Sequence, residues 1–187
     1  MSFFPSKPGA TSLRDVFMMF PDRAKFLLEY HEAVMRGPSA FTVAERELIF
    51  AFGSGVNACE FCHNTHKYTA AAFGVDEDLF EKLFDDIDAA PIDDKLKPVL
   101  KYVRKLTKEP SKMTRKDADA IFEAGWDERA FFDAVTVCAL HNLMNRMVDG
   151  TGVDVGEDQW RASADRLSTI GYGGSAKTLP KAQDTAE

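Results

Sequence analysis

The sequence lacks any run of apolar residues long enough to cross a bilayer, and its first residues contain no stretch of signal-peptide length. It also lacks an excess of basic residues: 23 Lys and Arg stand against 30 Asp and Glu, so the net charge is −7. This balance argues against a nucleic-acid or anionic-membrane surface, and the chain has no phosphate-binding glycine loop to offset it. We therefore expect a cytoplasmic protein that binds neither nucleic acids nor membranes.

Cysteine is scarce, and its distribution is uneven. Three cysteines are too few for a disulfide scaffold. Two of the three, Cys59 and Cys62, share eight residues with two of the four histidines, His63 and His66. In a cytoplasmic protein a Cys-x-x-Cys pair is more often catalytic or metal-binding than structural, so this cluster is the first candidate site.

Strand patterns are also scarce, whereas helix start and stop signals recur along the chain. Thr42 and Glu45 have the spacing of a capping box, and Asp127 precedes a long helical stretch that ends near Gly150. These signals predict a single-domain, all-α helical bundle of about six to eight helices over residues 1–170. Residues 171–187 lack a core pattern, and we expect them to form a mobile tail or to drape over a neighbouring subunit.

The predicted second helix carries an apolar stripe at helical spacing, formed by Phe26, Leu27, Tyr30 and Val34. The stripe predicts that these residues face the core. His31 has no partner in its own segment, so we expect it on the surface.

A helix that begins at the cysteines would bring several reactive groups onto one face. Cys59 and Cys62 are then i, i+3 neighbours in the first turn, where the helix dipole favours thiolate over thiol. His66 follows Cys62 by four residues and can act as a base. Glu47 is the better candidate to orient that histidine, because Glu45 already has a role in the capping box.

Two segments resemble a known family. The stretch from 46 to 74, with Glu47 twelve residues before Cys59, then Cys62 and His66, resembles the active-site segment of the alkylhydroperoxidase D-like, or carboxymuconolactone decarboxylase-like, superfamily. The later stretch from 138 to 153 is similar to the Asn-x-x-Asn-Arg helix of its peroxidase-related branch.

The resemblance implies an alkylhydroperoxidase D-like helical domain assembled into trimers or hexamers, and a thiol peroxidase that needs no cofactor and no metal. It implies that Glu47 holds His66, that Cys62 attacks a small-molecule hydroperoxide, and that Cys59 closes a disulfide. An external dithiol, such as a lipoyl-bearing protein, would reduce that disulfide. The function implied is antioxidant defence.

Four further residues are expected to bind substrate or to form an interface: His63, Asn142, Asn145 and Arg146. Asn142, Asn145 and Arg146 could equally bond neighbouring helix ends. The alkylhydroperoxidase branch carries a second histidine between its two cysteines, whereas this chain has Phe61 there. This departure makes appreciable peroxidase turnover a weaker expectation than the fold.

Other interpretations remain open from the residues alone. The protein could be a general thiol-disulfide oxidoreductase, a redox sensor, or a zinc-binding protein that uses Cys59, Cys62, His63 and His66. The order of attack is also open, since Cys62 has the histidine while Cys59 lies nearer the helix end. Elsewhere in the chain, Cys138 and His141 are expected to be core residues.

Overall fold

The computed structural model describes residues 2–181 and, within that range, contains nine α-helices and no β-strand. The predicted all-α class is confirmed, with slightly more helices than the six to eight expected. In chain order the helices are α1 (Leu13–Met19), α2 (Pro21–Arg36), α3 (Val43–Val56), α4 (Glu60–Ala72), α5 (Leu79–Asp85), α6 (Leu96–Lys108), α7 (Arg115–Glu123), α8 (Glu128–Thr151) and α9 (Glu157–Lys177).

Helix α3 lies at the centre of the bundle, and every residue from 46 to 54 is buried. The predicted capping box starts it: the backbone N–H of Thr42 donates to Glu45 Oε2 at 2.7 Å, and the N–H of Glu45 donates to Thr42 Oγ1 at 3.2 Å. Near its end, Gly53 lets α8 approach, because a Cβ atom there would overlap the ring of His141. Glycine at this position therefore sets the spacing of two core helices.

The buried face of α2 differs from the prediction. Phe26 is 69% exposed and Tyr30 is 49% exposed, whereas His31 is only 2% exposed. The residues that face the core are Ala24, Leu28, His31 and Met35, which also have helical spacing. The prediction was wrong for Phe26 and Tyr30, whereas Leu27 and Val34 are partly buried against the core; the helix face is rotated so that His31 is buried beside Leu28 and Met35.

The last helix corrects the predicted boundary at residue 170. Helix α9 continues to Lys177 through a kink at Gly171, whose φ is 66° and ψ is −170°. This positive φ favours glycine, and a Cβ atom there would lie 2.7 Å from Glu32 Oε2. Beyond the kink Tyr172 is 2% exposed, so these residues belong to the folded domain. Residues 182–187 of the predicted tail lie outside the described residues.

Helices α2, α4 and α9 meet beside α3, and this is where the candidate site lies. Within residues 2–181, no helix has the length and apolar character that crossing a membrane requires.

Candidate active site

The site begins at the junction between α3 and α4. Asn57 and Ala58 connect the two helices, and Cys59 is the N-terminal capping residue of α4. Ala58 has a φ of 58°, a left-handed conformation that costs a residue with a Cβ atom about 1–2 kcal/mol. The N–H of Cys59 donates to the carbonyl oxygen of Ser54 at 3.1 Å, which fixes the first cysteine against the end of α3.

Both cysteines of the pair are reduced and buried, with Cys59 2% exposed and Cys62 3% exposed. A hydrogen bond with the Cys59 thiol and then burial raise the pKa of Cys62 well above its ordinary value. The expectation that the first turn of the helix favours a thiolate at Cys62 is therefore wrong, since burial and the neighbouring thiol outweigh the helix dipole. Cys62 requires a base to become a nucleophile.

His66 lies on α4 beside Cys62, and its orientation is set by Glu47 on α3. The Nδ1 atom of His66 lies 2.6 Å from Glu47 Oε2, and both side chains are buried. A carboxylate can only accept, so Nδ1 donates its hydrogen to Glu47, and Nε2 is the ring nitrogen left to exchange a proton. This contact is the pair that the sequence predicted.

Glu47 has two further partners, which complete a buried cluster. Arg36 Nη1 donates to Glu47 Oε1 at 2.6 Å, and the Tyr172 hydroxyl donates to the same oxygen at 3.0 Å. Burial alone would raise the pKa of Glu47, but the charges and hydrogen bonds of His66 and Arg36 hold it below its ordinary value. We call these four residues the carboxylate network: Arg36, Glu47, His66 and Tyr172.

Tyr172 reaches Glu47 because of the kink in α9. The backbone N–H groups of Tyr172 and Gly173 donate to Glu32 Oε2 at 2.8 Å and 2.9 Å, so Glu32 caps the helical turn after Gly171. Burial, followed by the charge of Glu47, raises the pKa of Tyr172 well above its ordinary value, and the hydroxyl therefore stays a donor.

His31 belongs to the same region, contrary to the surface position predicted for it. Its ring stacks on Tyr172 with centroids 3.7 Å apart and lies 6.0 Å from the ring of His66. Neither ring nitrogen has a hydrogen-bond partner in the part of the chain that the structure describes, and burial lowers the pKa of His31 well below its ordinary value. His31 is thus a neutral ring that packs the carboxylate network against α2.

Sequence reasoning missed Arg36, Tyr172 and His31. Arg36 carried one usable signal, a basic residue in the last turn of a predicted helix. Tyr172 carried a weaker one, an aromatic residue among glycines in a segment without a core pattern. Neither signal indicated Glu47 as the partner, because the contacts join residues that are far apart in the chain.

The asparagines of α8 lie on the other side of the cysteines. Asn57 Nδ2 donates to Asn145 Oδ1 at 2.9 Å and to Asn142 Oδ1 at 3.1 Å, and Asn145 Nδ2 donates to Ser54 Oγ at 3.0 Å. We call these four residues the amide network: Ser54, Asn57, Asn142 and Asn145. A hydrogen bond from Asn145 also acts to lower the pKa of Cys62.

This arrangement places Asn142 and Asn145 at the end of α3, the second of the two roles considered for them. Arg146 Nη1 donates to the carbonyl oxygen and to the side-chain oxygen of Asn142, each at 2.8 Å, and so extends the network to the surface. On the same helix Cys138 and His141 are 1% and 0% exposed, which confirms both as core residues.

His63 points away from the cysteines. Its Nδ1 atom lies 2.9 Å from the carbonyl oxygen of Ala51, and its ring packs against Phe80 and Phe84. His66 faces Glu47 instead, so the four possible zinc ligands do not converge. In the described part of the chain, no three His, Cys, Asp or Glu side chains are arranged to hold a metal ion.

A cavity of about 80 Å³ opens beside the cysteines. Cys62 and His66 both line it, whereas Cys59 and His63 do not. The cavity is bounded mainly by side chains from α1, α2, α4 and α9. Of the two thiols, Cys62 is therefore the one that a small molecule in the cavity would meet.

Two solved structures have a similar fold. An uncharacterized peroxidase-related protein from Silicibacter sp. TM1040 aligns with a TM-score of 0.66 and 22% sequence identity over 76% of this chain and 73% of that one. A second, the alkylhydroperoxidase AhpD core of an uncharacterized peroxidase-related protein from Ralstonia eutropha JMP134, aligns with a TM-score of 0.71 and 22% identity over 80% and 78%. No protein-family model and no curated protein matches the chain.

At this level of identity the similarity is one of fold, and it agrees with the helical architecture and with the resemblance seen in the sequence. The chain therefore has the fold of the alkylhydroperoxidase D-like, peroxidase-related proteins.

Proposed function

We propose that the protein is a thiol-dependent peroxidase that reduces hydroperoxides through a cycle of the Cys59–Cys62 pair. The observation that carries this proposal is the shared cavity: Cys62 and His66 line it together, while Glu47 holds His66 from behind at 2.6 Å. A nucleophile, a base and an orienting carboxylate are thus arranged in sequence, as in other activated nucleophiles.

The carboxylate network supplies the base that Cys62 needs. Because the hydrogen on Nδ1 of His66 is held by Glu47, Nε2 accepts the proton of the Cys62 thiol, directly or through one water molecule. The resulting imidazolium is stabilised by the adjacent carboxylate. Burial keeps Cys62 protonated until this transfer occurs, which protects the thiol from adventitious oxidation.

The chemistry then proceeds in balanced steps. The Cys62 thiolate attacks the terminal oxygen of ROOH, the O–O bond breaks, and the alkoxide leaves with the proton from His66 as ROH. Cys62 is now a sulfenic acid. The Cys59 sulfur attacks Cys62, a Cys59–Cys62 disulfide forms, and water leaves. Two thiol–disulfide exchanges with an external dithiol restore both thiols.

The reductant, the oligomeric state and the cellular location in this proposal are those predicted from the sequence. The reductant is an external dithiol, such as a lipoyl-bearing protein, the active form is a homo-oligomer, and the location is cytoplasmic. Deep burial of both thiols favours a small peroxide over a protein disulfide as the oxidant, which supports a peroxidase in preference to a general thiol-disulfide oxidoreductase.

The experiment that tests the proposal is a free-thiol count on fully reduced protein before and after one equivalent of organic hydroperoxide. We expect two of three thiols to disappear and peptide mapping to find a Cys59–Cys62 bridge with Cys138 unchanged. Three thiols that do not react would refute the peroxidase cycle.

A matched pair of variants separates the base from its neighbour. His66→Gln is expected to slow the loss of thiols by about 10²-fold or more, since it removes a general base. His63→Gln is the control, because His63 faces Ala51 and not the cavity. Equal slowing by both variants would argue that the histidines contribute only to packing.

A further inference from the structure

The cavity that holds Cys62 has an apolar wall and a basic edge. The wall is formed by apolar side chains, among them Leu13, Phe17, Leu28, Phe61, Met144 and Leu167. Two arginines line the same cavity, Arg14 from α1 and Arg166 from α9. A ligand in this cavity would pack its apolar part against the apolar wall, and a charged group on the ligand would contact Arg14 and Arg166.

Neither arginine has a carboxylate partner within residues 2–181. Arg166 Nη1 donates to Ser175 Oγ at 2.6 Å, and Arg14 Nη2 donates to Thr178 Oγ1 at 3.4 Å. Neither belongs to an ion pair among the described residues, in contrast to Arg36, which lies 2.6 Å from Glu47. Each guanidinium has five N–H donors, so most of this capacity remains available to a ligand.

Three acidic side chains on α1, α2 and α3 have other partners. The Asp15 carboxylate accepts from the backbone N–H groups of Thr11 and Ser12 in the capping box of α1. The Glu32 carboxylate caps the turn after Gly171, and Glu47 belongs to the carboxylate network. Within residues 2–181, neither arginine therefore has a carboxylate that neutralises its charge.

The proximity of the two positive charges is itself unfavourable. Burial and then the charge of Arg14 lower the pKa of Arg166. A half-buried arginine beside a second arginine is stabilised when an anion lies between them, and a carboxylate matches the planar fork of a guanidinium in two parallel hydrogen bonds.

We propose that the cavity binds small organic hydroperoxides that carry a carboxylate group on a short apolar body, with Arg14 and Arg166 binding the carboxylate while the peroxide lies at Cys62. This proposal rests on the proposed function and names its class of substrate. Arg14 and Arg166 are binding residues in it and take no part in proton transfer.

The test compares a short-chain hydroperoxy acid of about four carbons with its methyl ester, which has the same apolar body and no charge. The second-order rate of thiol loss is measured on the reduced full-length chain. We expect the acid to react about tenfold faster than the ester, the ratio expected for one charge-assisted pair. Equal rates for acid and ester would overturn the proposal.

Variants then assign the effect to the basic edge. Arg166→Gln is expected to remove the difference between the two substrates, so that acid and ester oxidise the thiols at the same rate. Arg23→Gln is the control, since this arginine is 92% exposed in its side chain and lies outside the cavity. If Arg166→Gln does not fold, Arg14→Gln, at an exposed position, gives the same comparison. Slowing of acid and ester alike would also overturn the proposal.

A binding measurement keeps this inference separate from the peroxidase cycle. Calorimetric titration with butanoate and with butanol uses ligands that cannot oxidise a thiol. We expect butanoate to bind about tenfold more tightly than butanol and Arg166→Gln to remove the difference. If no hydroperoxide oxidises the cysteines, the proposed function fails, yet this titration still decides the carboxylate site: equal affinities for the two ligands would overturn it.

Discussion

The two polar networks that flank the cysteines differ in kind. The carboxylate network is built around an ionised side chain that is 0% exposed, and it joins helices α2, α3, α4 and α9. The amide network contains neutral groups alone and ties the end of α3 to α8. Both networks satisfy their buried polar atoms, but only the first can take up and release a proton.

The difference indicates what each network contributes. A buried charge has a large desolvation penalty, and well-packed apolar residues often replace such a group without loss of stability. Stability alone therefore gives little reason to keep Glu47 ionised in the core, whereas proton transfer at His66 gives a direct one. The amide network costs less to bury, and its hydrogen bonds hold the strained Ala58 turn that positions Cys59.

The largest effect is expected from Glu47→Gln, which removes the charge and keeps the shape. The rate of peroxide-driven thiol loss should fall by about 10²–10⁴-fold, because His66 loses the partner that stabilises its protonated form. The free energy of unfolding should fall by about 3 kcal/mol, because the Arg36 charge is left buried without a counterion. Stopped-flow thiol oxidation and urea unfolding measure the two effects. A rate unchanged from wild type would exclude the carboxylate network from catalysis.

Asn145→Ala makes the corresponding change in the amide network. Loss of the bonds to Asn57 and Ser54 should lower the free energy of unfolding by about 2 kcal/mol. The rate of thiol loss should fall by about tenfold, because the bond that lowers the pKa of Cys62 is also removed. The same two assays apply, and a fall in rate as large as that of Glu47→Gln would erase the proposed distinction between the networks.

Tyr172→Phe tests the contribution of the kinked end of α9. The variant removes one hydroxyl donor from Glu47 and keeps the aromatic stack with His31, so we expect a loss of about 1 kcal/mol in the free energy of unfolding. Tyr68→Phe is the matched control, since its hydroxyl bonds to Glu157 at the surface and should change stability by less than about 0.5 kcal/mol. Equal effects in urea unfolding would contradict the assigned role.

The smallest effect is expected in the loss of stability at acid pH, to which Glu47 contributes as one of several carboxylates with lowered pKa values. The pKa of Glu47 lies below its ordinary value of 4.5 in the folded protein, so its ionised form stabilises the fold above that pH. This contribution is lost as the pH falls from about 4.5 through the folded-state pKa. Urea unfolding from pH 6 to 3 should show a shallower dependence on pH in Glu47→Gln than in the wild type; identical slopes would mean that Glu47 is not ionised in the folded state.

The sequence predicted part of this site well. The spacing of Cys59, Cys62 and His66 is local, and one helix places all three within two turns, so their arrangement follows from helical geometry. Glu47 was predicted by exclusion, because Glu45 had a capping role that the structure confirms. The role of His63 could not be predicted in this way. Its position one residue after Cys62 fixes the helix face on which it lies, but it does not show which residues pack against that face.

The rest of the site depends on contacts between distant residues. Phe26 and Tyr30 were the natural core stripe of α2, yet the buried face contains His31, because α9 brings Tyr172 into stacking contact with it. The kink at Gly171 turns Tyr172 toward the core. The sequence of this segment is rich in glycine and has no core pattern, so it predicts neither the helix nor the kink.

By itself, the sequence determined the all-α class and the helix that carries the cysteines, because capping, periodicity and i, i+4 spacing act over a few residues. The pairing of Glu47 with His66 joins two helices, and it was predicted by excluding Glu45 and by the family resemblance. The tertiary structure alone decided the pKa of Cys62, the completion of the carboxylate network by Arg36 and Tyr172, and the pairing of Arg14 with Arg166 at one cavity. Burial and charge–charge interactions depend on which surfaces meet in space, and helices α1, α2 and α9 meet there only in the folded chain.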